Sequence, residues 1–205
     1  MATSPAKKRS AAKKSPAPGK LNSFLHDVRE EHPDFAFTRY WYQETRDREG
    51  ISSWIDRKVR LGDDPKFGQA TKVEVLLPPT APADYVDLAF LTRRFDEALP
   101  TFEKHAMIQT KIYLDSNEAW HHAYERVRAF ARSHFANRFP VILIGHVPSC
   151  AGLHGNGSHV HVVVLPRGLT LNGLTEVDAR LCSDKGYASA LDAWREHKTA
   201  WSSAA

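Results

Sequence analysis

Cysteine is scarce in this chain. Cys150 and Cys182 are the only two in 205 residues, which excludes a disulfide framework and the paired spacing of a zinc ribbon. They read as free thiols in a reducing, cytoplasmic compartment. Long apolar runs are missing too: none approaches the ~20 residues that cross a bilayer. No apolar stretch follows the basic N-terminus, so neither a secretory leader nor a membrane partner is expected. Acids are absent from residues 1–20, which carry Lys7, Lys8, Arg9, Lys13, Lys14 and Lys20. Without these six, 22 basic residues face 24 acidic ones, so the formal charge of +4 belongs to an arm on a near-neutral body. Such a segment, rich in Lys, Ala, Ser and Pro, buries too little apolar surface to fold. It suits a phosphate backbone, with Lys7, Lys8, Arg9, Lys13 and Lys14 as its contacts.

What remains, residues 21–205, is long enough for one domain with a core. Residues 21–31 read as a short helix ended by Pro33. Residues 35–43 (FAFTRYWYQ) form an aromatic-rich strand. Residues 46–60 place Ile51, Trp54, Ile55 and Val59 at helical spacing. Residues 71–77 alternate Val73, Val75 and Leu77 as a strand, and a proline-rich connection follows over 78–82. Asp84 is expected to cap a helix through Leu99, with Tyr85, Leu88, Leu91 and Phe95 on its buried stripe. Residues 104–114 alternate Ala106, Ile108, Thr110, Ile112 and Leu114 as a strand. Residues 117–135 make the clearest helix, with Trp120, Ala123, Val127, Phe130 and Ala131 in line. Residues 139–147 (FPVILIGHV) and 158–165 (SHVHVVVL) are apolar strands, and 188–201 is a closing helix. The pattern predicts an α+β domain: a mostly antiparallel sheet of about five strands with helices packed on it.

The chemistry gathers on histidine. Side chains alternate along a strand, so His159 and His161 point one way while Val160, Val162 and Val164 point the other. If the two apolar strands pair antiparallel with His146 opposite His159, all three imidazoles share one face. A slip of one residue would turn His146 away, and the sequence leaves that register open. Imidazole nitrogen binds first-row divalent metals at neutral pH, so one ion on His146, His159 and His161 is expected. His154 lies in the connecting loop as a bland residue. His121 and His122 diverge around a helix and make no ligand pair.

The stretch from His146 through the AGLHGNGS loop to His159-Val160-His161 resembles the HUH superfamily of single-strand DNA nucleases. More narrowly, it is similar to the MobA/MobL family of plasmid mobilisation relaxases. APADYVDLAFLTRRFDEAL is similar to the helix preceding that family's central strands. The resemblance runs over residues 35–167. It implies an HUH nuclease-like fold, a Mg or Mn cofactor, and single-stranded or hairpin DNA as partner, with accessory proteins of plasmid transfer. It also implies an endonuclease and strand transferase whose tyrosine forms a covalent link to DNA. The family's tyrosine lies on a helix after the first strand, where SSWIDRKVR has Trp54. Tyr42 and then Tyr40 are the nearest substitutes for a catalytic role, and Tyr187 is a more distant one.

Two other readings stay open. HVHVVVLPR is similar to the histidine-triad nucleotide hydrolases, whose His-x-His-x-His needs a histidine where Val163 stands. With Trp54 in place of the tyrosine, the domain could also bind DNA without cutting, stacking bases on Tyr40, Trp41 and Tyr42 between Arg39 and Arg46.

Overall fold

A computed structural model describes residues 21–28, 30–43, 50–60, 70–151 and 157–204. The basic arm of residues 1–20 and the loop histidine His154 lie outside the described residues.

Six strands form one antiparallel sheet: β1 (Asn22–Asp27), β2 (Phe35–Trp41), β3 (Lys72–Leu76), β4 (His105–Tyr113), β5 (Val141–His146) and β6 (His159–Val164). Their spatial order is β1-β2-β4-β6-β5-β3. The helices are α1 (Ile51–Val59), α2 (Leu88–Glu97), α3 (Trp120–His134) and α4 (Asp184–Ala204). A separate hairpin of β7 (Arg167–Thr170) and β8 (Gly173–Val177) follows β6. The α+β class expected from the sequence is the class observed.

Both faces of the sheet are covered. Val160, Val162 and Val164 point into a core with Val127, Phe130 and Ala131 of α3 and Trp194 of α4. The opposite face meets α1 and α2 through Ile51, Trp54, Ile55, Leu91 and Phe95, packed on Ile142, Ile144 and Val163. The central strands are therefore apolar on both sides, which explains their continuous hydrophobic runs.

Residues 21–31 depart from the expected helix. Leu21, Phe24, Leu25 and Val28 have helical spacing, yet residues 22–27 all pair with β2, from Asn22 opposite Trp41 to Asp27 opposite Ala36. The exposed edge of β2 overrides the local pattern, as sheet context commonly does. Being an edge strand, β1 leaves Phe24 and Leu25 about half exposed, at 48% and 49%. The helix expected from Asp84 also divides. A 3-10 turn covers Ala83–Val86, and Asp87, not Asp84, caps α2 by accepting from the Phe90 N–H at 2.7 Å. The hairpin was not foreseen. It turns at Gly173, whose φ of +98° suits a residue without Cβ.

Two polar anchors fix the helical layers. The Asp96 carboxylate of α2 accepts from the N–H groups of Ile51 and Ser52, at 2.8 and 3.1 Å, and from the Ser52 hydroxyl. It thereby satisfies the free amides that begin α1 and seats that helix over the sheet. On the other face Asp34 accepts from Trp194 Nε1 at 3.2 Å and from Lys198 Nζ at 2.8 Å, holding α4 against the turn before β2.

Candidate metal centre

The pairing of β5 with β6 sets His146 opposite His159 and Ile144 opposite His161. That is the register the metal site requires, and it brings all three imidazoles to the face covered by α1 and α2. Ring centroids lie 5.2 Å apart for His146–His159 and His146–His161, and 4.9 Å for His159–His161. One ligating nitrogen from each residue can be chosen so that all lie within 4.8 Å of one another. Among the described residues, this is the one group of three or more His, Cys, Asp or Glu so gathered.

The environment keeps two of these rings, His159 and His161, in the ligating form. Burial pushes the His159 pKa down to about 4, and Lys111 and His146 add to the effect against an opposing hydrogen bond to the Gly157 carbonyl. His161, 6% exposed, is held well below its ordinary value by burial, then by His159 and Lys58. Both imidazoles are thus neutral at pH 7, as a metal ligand must be. The His159 Nδ1 lies 2.9 Å from the Gly157 carbonyl. A carbonyl only accepts, so Nδ1 carries the proton and Nε2 keeps its lone pair for an ion. The buried His161 Nδ1 has no hydrogen-bond partner. An unpaired nitrogen in so enclosed a place is costly, and a cation would satisfy it. The donor set therefore fits a divalent ion.

Two lysines complete the surroundings. Lys111 of β4 is the cross-strand neighbour of His161. Lys58 comes from α1, its Nζ 5.3 Å from the centroid of the Trp54 ring, and burial lowers its pKa with help from Lys111 and Arg57. Among the described residues, the charged groups that act on His159 and His161 are these lysines and the other histidines. Sequence reasoning missed both lysines. The alternation of β4 had put Ile108, Thr110 and Ile112 on one face, which left Lys111 and Tyr113 on the other. Only the pairing of β4 with β6 identifies that face as the histidine face.

The tyrosines expected to be catalytic lie elsewhere. Tyr40 pairs with Met107, six residues along β4 from Tyr113, the partner of His159. At ~3.4 Å per residue that is about 20 Å along the sheet from the level of His159, and about 14 Å from that of His161, which pairs with Lys111. Its ring packs edge-on against Trp54 at 5.2 Å, and burial raises its pKa to about 12. Tyr42 lies just beyond the end of β2, 3% exposed, with its N–H bonded to the Lys104 carbonyl. Tyr187 is on the opposite face, stacked on His26 at 4.4 Å. Trp54 is buried between α1 and the sheet. One turn later, Lys58 is the α1 residue whose charge acts on the triad.

A solved structure concerning the molecular basis of vancomycin resistance transfer in Staphylococcus aureus shares this fold. It matches with a TM-score of 0.59 over 80% of this chain and 92% of that one, at 16% sequence identity. At that identity the likeness is one of fold. No protein-family model matches the chain, and no curated protein matches it at a significant level.

Proposed function

We propose that this chain is a metal-dependent domain that binds and nicks single-stranded or hairpin DNA in the manner of a mobilisation relaxase. One observation carries the reading: three imidazoles, of which His159 and His161 are held neutral, converge beside two lysines. A bare cation is repelled by Lys58 and Lys111, so the site is best satisfied by an ion and an anion together. A phosphodiester supplies that anion. When bound, a divalent ion would polarise the phosphoryl oxygens and orient the strand. Its holders are His146, His159 and His161. Imidazole-only ligation suits Mn better than Mg, which prefers oxygen. Lys58 and Lys111 would then contact the phosphate, next to the buried Ile144 and Val163.

The further parts of the proposal follow from the charge distribution. Residues 21–205 act as the single domain, and the arm of residues 1–20 adds sequence-independent affinity for DNA through Lys7, Lys8, Arg9, Lys13 and Lys14. A cytoplasmic setting and partners in plasmid transfer belong to the same reading, and the fold neighbour is connected with resistance transfer. The MobA/MobL type is the nearest family reading. The histidine-triad hydrolase fits less well, because Val163 is fully buried and the third imidazole comes from β5 rather than from the same strand. Among the described residues no helix is long and apolar enough to cross a membrane.

Calorimetric titration with Mn tests the metal, and cleavage of end-labelled single-stranded oligonucleotides tests the reaction. The expected result is one ion per chain and Mn-dependent cutting, both lost in His159→Ala/His161→Ala. Retention of Mn binding by that double variant would refute the site. Mn-dependent binding without cutting would leave a DNA-binding module, as Trp54 in the helix α1 suggests.

A further inference from the structure

A covalent nicking reaction needs a hydroxyl beside the phosphate, and all six tyrosines of the chain fall among the described residues. Five of them lie away from the histidine triad. Tyr124 and Tyr187 belong to the face of α3 and α4, where Tyr124 donates to Glu74 at 3.4 Å and Tyr187 packs on His26. Tyr85 packs edge-on against Phe90 at 5.1 Å in the layer of α2. Tyr40 and Tyr42 sit at the far end of the sheet.

The sixth, Tyr113, is the direct cross-strand partner of His159 and so shares the face of the triad. Directly opposed side chains start ~5 Å apart at Cβ, and a tyrosine places its hydroxyl well beyond that. The ring centroids of Tyr113 and His159 are 6.1 Å apart. Lys111, two residues earlier on the same face, holds its Nζ 4.6 Å from the Tyr113 ring centroid. A cation beside the phenol favours the negative charge that its oxygen gains as it attacks. The residue is half-buried at the last position of β4.

We propose that Tyr113, from a central strand rather than from α1, is the nucleophile of the strand-nicking reaction. This rests on the nuclease reading above. The Tyr113 oxygen bonds to phosphorus as its proton passes to solvent. The bond from phosphorus to one deoxyribose oxygen breaks, and that oxygen takes a proton from water. The products are a phosphotyrosyl ester on one strand end and a free hydroxyl on the other. One ester replaces another, so no oxidant, reductant or net water is consumed and the step can run backwards to reseal or transfer the strand.

The first test needs no turnover. Paramagnetic Mn added to the full chain should broaden the ring resonances of Tyr113 before those of Tyr40 or Tyr42. Broadening of Tyr40 or Tyr42 first would overturn the placement. The second test incubates protein and Mn with an end-labelled pool of random-sequence single-stranded oligonucleotides, then looks for a covalent adduct under denaturing conditions. Tyr113→Phe keeps the ring and is expected to reduce adduct by on the order of 100-fold or more. Mn and oligonucleotide affinities should stay within about 2-fold, since a hydroxyl not used in binding is removed. An adduct that survives in Tyr113→Phe overturns the assignment and leaves the nuclease reading standing. Cleavage by the unmutated protein without an adduct does the same and makes water the nucleophile. Neither cleavage nor adduct in the unmutated protein overturns both.

Discussion

Acid should destabilise the metal-free protein in a way that depends on His159. In the unfolded chain an imidazole takes up a proton near 6.5, whereas folded His159 resists until about 4. Its folded pKa is depressed, so the unfolded state binds more protons between those values, and stability falls as pH drops through that window. Each tenfold in proton affinity is worth ~1.4 kcal/mol, which makes the gap from 6.5 to about 4 worth about 3 kcal/mol. Partial solvent access trims that to about 2 kcal/mol. Folded domains are stable by only about 5–15 kcal/mol, so the loss is readily measured. The assay is urea unfolding in EDTA at pH 7 and pH 4.5, comparing the natural chain with His159→Gln, which does not titrate. Carboxylate effects are common to both chains and cancel. Relative to the variant, the natural chain should lose about 2 kcal/mol between the two pH values. An unchanged difference would refute the account of His159 as a buried neutral imidazole.

Other outcomes follow from named contacts. Lys111→Gln should raise Mn affinity by about 5-fold, since a +2 ion and an ammonium ~8 Å apart in a water-like medium repel by about 1 kcal/mol. The same variant should bind single-stranded DNA less tightly, and a fall in both affinities by calorimetry would make Lys111 structural. Asp96→Ala removes the acceptor for the start of α1 and should cost about 1–2 kcal/mol in urea unfolding. A loss below about 0.3 kcal/mol would show that packing alone seats the helix. Saturating Mn, at about 100 times its Kd, should add about 3 kcal/mol of stability at pH 7 and progressively less in acid, because the ligands must be deprotonated. Deleting residues 1–20 should weaken DNA binding and flatten its salt dependence, because fewer counterions are released. An unchanged salt slope would show that the arm is not on the DNA.

The sequence by itself determined the ingredients that repeat locally. Period-2 alternation in residues 158–165 put His159 and His161 on one face and the valines on the other, and the strand is there. The stripe of Trp120, Ala123, Val127 and Phe130 marked α3. These signals are legible because a strand or helix imposes its own period on the side chains it buries. Residues 22–27 show the limit. Their helical spacing was real, but an unpaired sheet edge offered them hydrogen bonds that no local pattern reports. The site needs His146 opposite His159, and only the assembled sheet supplies that register. Lys58, Lys111 and Tyr113 were invisible as site residues for the same reason. Each is ordinary in its own segment and gains meaning from a neighbour about 45 to 100 residues away, across strand pairs and helix packing that local periodicity does not encode. Tertiary structure decided which end of each strand meets which, and that ordering places His159 beside Tyr113 and Tyr40 beside Met107.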